Sequence, residues 1–249
     1  MLGSPIAHSL SPALHRAAYD ALGLDWSYQA VEVGADGLAA FLDGLDRSWR
    51  GVSLTMPLKR AVLPLLDEVS EVAQRAGAAN TVLLDAGRRR GDNTDVPGAV
   101  AAVRERYADP VGSVLVVGGG ATAASLVLAV AEMGASVVTF VVRDLERARD
   151  TVTLAEGLFG RDRVRVSDTA GVPAASYDLL VSTVPASAQD AGMLAAVEAA
   201  RLVFDVGYHP WPTPVAERAA ALGVPVVSGL DLLVHQAALQ VELMTGLRV

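Results

Sequence analysis

Short apolar runs alternate with amphipathic stretches along the chain, the pattern of βα units and of a mostly parallel sheet. In the first hundred residues this pattern predicts a helix over Pro12–Leu22, a strand near Tyr28–Val33, a helix over Gly37–Leu45 and a strand at Val52–Leu54. Helical stretches around Arg60–Leu66 and Val69–Ala76 follow, and then Thr81–Leu84 pairs in a hairpin with a strand ending near Asp92. A helix over Pro97–Tyr107 runs into the turn-rich "ADPVGS". Beyond it the alternation is more regular: strand Val114–Val117, helix Ala121–Met133, strand Ser136–Val142, helix Leu145–Leu158. Strands at Leu179–Ser182, Leu202–Val206 and Val224–Val227 precede a closing apolar helix over Leu230–Thr245. The shift in composition near residues 95–112 marks a candidate domain boundary, so the chain reads as an α/β protein of two domains.

The most regular stretch carries chemistry. "SVLVVGGGATAASLVLAVAEMGASVVTFVVRD" (113–144) is a strand, a glycine turn, a helix and a second strand. Gly118, Gly120 and Ala123 fit the G-x-G-x-x-G/A spacing, in which the first glycine allows the tight turn and the second lets backbone N–H groups approach a pyrophosphate. The small third residue lets helix and strand pack closely. In this context the turn predicts a Rossmann-type, doubly wound dinucleotide-binding domain. At the end of the second strand Arg143 favours the 2′-phosphate of NADP, while Asp144 would suit the 2′-hydroxyl of NAD or would cap the helix that starts at Leu145.

An earlier strand ends oddly. After Gly51–Leu54 come Thr55, Met56, Pro57, which forbids further ladder pairing, and a lone charge at Lys59. Other polar residues also gather at predicted element ends: Ser9, Ser11, Asn80 and Asp95. Each has an ordinary reading. Ser11 before Pro12 suits a helix N-cap, Asp95 could cap the helix from Val96, Lys59 could be a solvated helix-start lysine, and Asn80 a turn residue.

Composition removes several alternatives. Without cysteine there is no disulfide, thiolate catalysis or Cys-ligated zinc. Mean hydropathy is +0.38, yet the most apolar region, Ser125–Val142, is interrupted by Glu132-Met133-Gly134, so no membrane span is expected. No signal peptide is visible in "MLGSPIAHS". The net charge of −8 and scattered basic residues argue against nucleic acid, and "GRRRG" (87–91) reads as a hairpin tip. The four histidines lack ligand spacing, so no metal is expected, and the absence of G-x-S-x-G argues against a hydrolase.

Six blocks, in order, decide the reading: "GSPIAHSLSP" (3–12), "GVSLTMPLK" (51–59), "GAANT" (77–81), "DNTD" (92–95), "GGGAT" (118–122) and "GLDLLVHQAA" (229–238). Together they resemble the shikimate dehydrogenase family over essentially the whole chain. The resemblance implies that Lys59 and Asp95 are a catalytic pair, and that Ser9 and Ser11 bind the substrate carboxylate. Thr55, Asn80 and Gln236 would hold its hydroxyls, with Tyr208 of "DVGYHP" lining the pocket. It further implies that Gly118, Gly119, Gly120, Ala121, Thr122, Arg143, Asp144 and Gly229 bind NADP(H). Residues 1–96 with 230–249 would form the substrate-binding, catalytic domain, and 97–229 the NADP-binding domain.

The activity implied is reversible reduction of 3-dehydroshikimate to shikimate with NADPH, in the cytoplasm, by a monomer or homodimer. The alternatives are an NAD-dependent quinate/shikimate dehydrogenase, kept open by Asp144, and a non-catalytic dinucleotide-binding module. Retention of both Lys59 and Asp95 argues against the latter. The chain departs from the family's pattern in three places. It starts at Met1-Leu2, where the family has a short strand, so an edge strand could be curtailed. "Val-Arg-Asp" (142–144) replaces "N-R-T", and Asp231 replaces a glycine in the last block.

Overall fold

In the computed structural model, which describes residues 1–168 and 175–248, the chain divides inside two helices: Met1–Gly98 with Leu233–Val249 form one unit, and Ala99–Leu232 the other. The first unit runs β1 (Leu2–Gly3), α1 (Ser11–Ala21), β2 (Val31–Glu32), α2 (Leu38–Asp43), β3 (Gly51–Ser53), α3 (Leu58–Ala61), β4 (Glu68–Val69), α4 (Glu71–Ala76), β5 (Thr81–Asp85), β6 (Arg88–Asp92) and the start of α5 (Asp95–Arg106). Its main sheet has the order β3-β5-β6-β4, with β5 antiparallel to both neighbours and β4 parallel to β6. The mostly parallel arrangement therefore does not hold here. The cause is local: Ala86 and Gly87, with φ of 50° and 83°, form a two-residue turn whose twist suits an antiparallel hairpin. The turn sits one step before the arginines, so Arg88, Arg89 and Arg90 lie on β6 and not at its tip. Arg88 pairs with Glu68 and Arg89 with Asp43, each at 2.7 Å.

The short β1 is present, parallel to β2, and Leu2 also bridges to Leu54 just past β3. Leu2, Leu38, Leu54, Leu58 and Val62 are enclosed in one apolar core that these elements share.

The second unit runs β7 (Ser113–Val117), α6 (Ala121–Glu132), β8 (Val137–Val142), α7 (Leu145–Phe159), β9 (Val164–Asp168), β10 (Tyr177–Ser182), α8 (Ala191–Val197), β11 (Ala200–Asp205), α9 (Pro214–Leu222), β12 (Val226–Ser228) and the start of α10 (Gly229–Thr245). All six strands are parallel, in the order β12-β11-β10-β7-β8-β9. Strands covered on both faces need continuous apolar runs, as "VLVV" and "VVTFVV" supply. This is the doubly wound order, and its topological switch point lies between β7 and β10. Among the described residues no helix is long and apolar enough to cross a membrane.

The first unit also encloses polar groups beneath α1. His15 is fully buried and stacks on Tyr28 at 4.0 Å, with Nδ1 on the Ser11 carbonyl at 2.9 Å. Burial pushes its pKa down from 6.5 to about 4, against that backbone contact. Between those two values the unfolded chain binds the extra proton and the folded chain does not, so stability is full above pH 6.5 and falls as the pH drops toward 4. The shift corresponds to about 3 kcal/mol at most. Chemical denaturation at pH 7 and pH 4.5 should show this loss, and His15→Leu should lose correspondingly less than wild type over the same interval. Equal losses in both proteins would remove His15 as the cause.

Candidate active site

The proline that ends the third strand has a definite job. Leu54 N–H still bonds the Asn80 carbonyl (2.7 Å) and Thr55 N–H the Leu2 carbonyl (2.9 Å), but Pro57 has no N–H and stands at the N-cap of α3. Leu58 is anchored in the core with no exposed surface. Lys59 follows in the first turn, and its Nζ donates to Asp95 Oδ2 at 2.7 Å, the two side chains being only 13% and 6% exposed. A pair this enclosed is held by its mutual bond, because removing either partner strands the other charge.

Asp95 opens α5, where a negative charge is favoured by the helix dipole. Asn93 places it, accepting the Asp95 N–H at 3.0 Å while donating to the Ala78 carbonyl at 2.9 Å. The second carboxylate oxygen, Oδ1, accepts from Asn80 Nδ2 at 2.8 Å. The Asn80 amide is held from every side: Nδ2 also reaches Thr94 Oγ1 (2.9 Å) and Gln236 Oε1 (3.4 Å), and Oδ1 accepts from Thr94 N–H (2.9 Å) and the Thr81 hydroxyl (2.8 Å). Gln236 itself, 5% exposed, donates to the Leu233 carbonyl at 2.9 Å. It is brought close because Gly98 has no side chain, since a Cβ there would stand 3.0–3.2 Å from Gln236 main-chain and Cβ atoms.

Lys59, Asn80, Asp95 and Gln236 thus form one hydrogen-bonded group. Ser9, Ser11 and Thr55 lie outside its bonds. Ser9 is half-buried and its hydroxyl accepts the Ser11 N–H at 3.3 Å, so Ser9 supports the start of α1 and Ser11 does not cap it. Ser11 is fully enclosed, and its Oγ, like Tyr28 Oη and His15 Nε2, meets no partner in hydrogen-bond geometry among the described residues. Thr55 is half-buried, with its methyl against Gly3, where a Cβ would come within 2.3 Å of it. The residue motifs alone missed Thr81, Asn93 and Thr94 as supports, although all three stand inside the quoted blocks.

The second unit holds the glycine turn. Gly118 has φ of +107°, and a Cβ there would meet Thr183 Oγ1 at 2.3 Å across the switch point. Gly119 lies against Ala148 of α7, where a Cβ would fall 2.4 Å from the Ala148 Cβ, so Gly119 sets how closely α7 approaches the turn. Gly120 faces open space, with nothing within 4 Å of where a Cβ would be, and it is the N-cap of α6 with no side chain to cap it. Backbone open to approach, a helix N-terminus beyond it in Ala121 and Thr122, and an exposed arginine at Arg143 fit a phosphorylated dinucleotide.

Asp144 is engaged with its own helix. Its Oδ1 accepts from the N–H groups of Glu146 (3.0 Å) and Arg147 (3.1 Å), capping α7, and its Oδ2 lies 3.3 Å from Arg147 Nε. Gly229 is required for packing, because a Cβ would fall 2.0 Å from the Val206 carbonyl oxygen. Tyr208 is half-buried in the same unit, and burial raises its phenol pKa.

Asp231, the departure in the last block, has a clear role. It forms a reciprocal capping box with Ser228 at the start of α10: its Oδ2 accepts the Ser228 N–H at 2.8 Å, and its own N–H reaches Ser228 Oγ at 3.2 Å. Arg106 adds an ion pair at 2.6 Å. Burial works against the charge, but the Ser228 N–H and Arg106 together hold the carboxyl below its ordinary range.

Residues 1–82 match the family described as the shikimate dehydrogenase substrate binding domain, and residues 229–249 the shikimate 5′-dehydrogenase C-terminal domain. A shikimate dehydrogenase (NADP(+)) from Geobacter sp. strain M21 is 38% identical over 259 residues, spanning 99% of this chain and 89% of the relative. The chain belongs to the shikimate dehydrogenase family. Solved structures of the family agree with the fold. Mycobacterium tuberculosis shikimate dehydrogenase superposes with a TM-score of 0.89 at 41% identity, covering 100% of this chain and 93% of that one. The Thermus thermophilus shikimate 5-dehydrogenase, solved in complex with NADP(H) and shikimate, gives 0.82 at 36% identity, with coverage of 99% and 92%.

Proposed function

We propose that this chain is an NADP-dependent shikimate dehydrogenase, reversibly reducing 3-dehydroshikimate to shikimate on the route to aromatic amino acids. The observation that carries this reading is the nearly enclosed Lys59–Asp95 pair, oriented by Asn80 and accompanied by Gln236. The unit formed by Met1–Gly98 and Leu233–Val249 is the substrate-binding, catalytic domain, and Ala99–Leu232 is the NADP-binding domain. The partner is a small molecule, with no nucleic acid or membrane involved. The enzyme acts in the cytoplasm as a monomer or homodimer.

When bound, NADPH supplies the hydride that reduces the ring ketone. Gly118, Gly119, Gly120, Ala121 and Thr122 would hold its pyrophosphate, and Arg143 its 2′-phosphate, with Gly229 keeping the neighbouring turn in place. Lys59 donates to the ketone oxygen as negative charge builds there and gives it a proton. In the oxidation direction Lys59 takes the hydroxyl proton back. Asp95 keeps the ammonium aimed and accepts from a substrate hydroxyl. Gln236 and Thr55 bind further hydroxyls, Asn80 shares its amide between Asp95 and substrate, and Ser9 and Ser11 take the carboxylate. A site of this kind rejects analogues that lack a matching hydroxyl, because its buried groups would be left unpaired.

The helix-capping geometry of Asp144 supports NADP over NAD, since the feature that would favour the NAD-dependent reading is engaged with backbone N–H groups. The test is to incubate purified enzyme with 3-dehydroshikimate and NADPH and to identify the product. Shikimate formed in step with NADPH loss is expected; NADPH consumption without shikimate, or no reaction, overturns the proposal.

A further inference from the structure

We infer that Gln240, acting through the Thr81 hydroxyl, is a positioning residue that fixes the Asn80 amide and hence Asp95 and Lys59. The inference rests on the function proposed above. Gln240 lies on α10, one turn beyond Gln236, and is 1% exposed. No quoted block contains it.

Its amide orientation is determined by its neighbours. The Asn80 backbone carbonyl, 3.2 Å away, can only accept, so the atom facing it is Nε2. The same Nε2 donates to Thr81 Oγ1 at 2.8 Å, and Oε1 on the other side accepts from the Ser53 hydroxyl at 2.8 Å. Thr81 has one hydroxyl proton. With Gln240 presenting N–H to its oxygen, that proton cannot point back at Gln240 and goes instead to Asn80 Oδ1, 2.8 Å away.

The Asn80 amide is then oriented by the same logic. Thr94 N–H, a donor, faces Oδ1, and the Asp95 carboxylate, an acceptor, faces Nδ2. From Ser53 through Gln240, Thr81 and Asn80 each donor therefore runs in one sense and ends on Asp95 Oδ1, while Lys59 holds Oδ2. A glutamine on a buried helix face would be costly without such a purpose, and every polar atom of this one is engaged. The relay touches no reacting atom; it keeps the catalytic carboxylate from turning.

The experiment compares wild type, Thr81→Val, Thr81→Ser, Gln240→Met, the Thr81→Val/Gln240→Met double variant and Lys59→Ala in shikimate oxidation with NADP, with thermal unfolding recorded for each. Thr81→Val keeps the shape and loses the hydroxyl, so kcat should fall roughly tenfold with a smaller change in KM for shikimate. Thr81→Ser keeps the hydroxyl and should restore most of that turnover, whereas a packing role would make serine the worse of the two. Gln240→Met should lower kcat by about threefold to tenfold. The double variant should resemble Thr81→Val alone, because both changes act through one hydroxyl. If Thr81→Val fails to fold, Gln240→Met against Thr81→Ser decides. Normal kcat in folded Thr81→Val or Gln240→Met, with Lys59→Ala inactive, overturns this inference alone. A Lys59→Ala enzyme with normal turnover overturns the functional reading beneath it.

Discussion

Lys59→Ala should lower kcat for shikimate oxidation by ~10²–10⁴-fold, the usual loss for one positioned general acid–base group, while changing shikimate affinity far less. The size follows from what the side chain contributes. Its ammonium is engaged at 2.7 Å with a carboxylate that Asn80 also holds, on a residue whose backbone N–H is fixed by Asn93, so no other cation among those bonds can replace it. Alanine leaves Asp95 enclosed without its counter-charge, and some loss of stability should accompany the loss of rate. Asp95→Asn is the companion variant. It turns one acceptor into a donor facing either Lys59 or Asn80 Nδ2, so turnover should fall and shikimate binding should weaken as well. The measurement is steady-state kinetics on variants whose unfolding curves show a folded protein. Near-normal kcat in folded Lys59→Ala would remove it from the chemistry.

Arg143→Ala should raise KM for NADPH by roughly 10–150-fold and leave KM for NADH nearly unchanged, because a charge-assisted contact to the 2′-phosphate exists only with the former. Asp144→Thr is the informative partner. If the Asp144 carboxylate faced the phosphate, threonine would tighten NADPH binding. Since it caps α7 and lies beside Arg147, and threonine also caps, both KM values should stay within about twofold. A wild type that prefers NADH, together with an Arg143→Ala enzyme indifferent to NADPH, would refute the assignment and favour the NAD-dependent alternative.

What the chain disclosed of itself in advance follows from how strongly each segment repeats its pattern. Strands β7 and β8 and helix α6 were legible because apolar runs, a glycine turn and a second apolar run follow without interruption. Strand β9, "VRVSD", was missed, since one outward arginine and a polar end leave too little apolar signal. Helix α9 was missed despite its Thr213 cap, Pro214 at N1 and Gly223 beyond the end, because its short apolar face of alanines and one valine is weak. The two-residue β1 and β4 are held by their neighbours more than by their own sequence. The alternation predicts the hairpin but puts its tip on the arginines, because Ala86 is an unusual residue for a positive φ.

At the site, the local pattern offered only separate polar residues at element ends, each with an ordinary explanation. Their pairing is a long-range fact: Lys59 and Asp95 are joined across 36 positions and Asn80 and Gln236 across 156. Six motif blocks in a family's order pointed to the residues that such pairing involves. They could not point to Gln240, whose single clue is a polar side chain four residues after Gln236 on an otherwise apolar helix face.

The most direct measurement is the initial rate of cofactor reduction by the wild-type enzyme, with shikimate or quinate, each paired with NADP or NAD. A shikimate–NADP rate, as kcat/KM, well above the other three combinations is the expected result. Equal or faster turnover of quinate with NAD, or no reduction of either cofactor by shikimate, would contradict it.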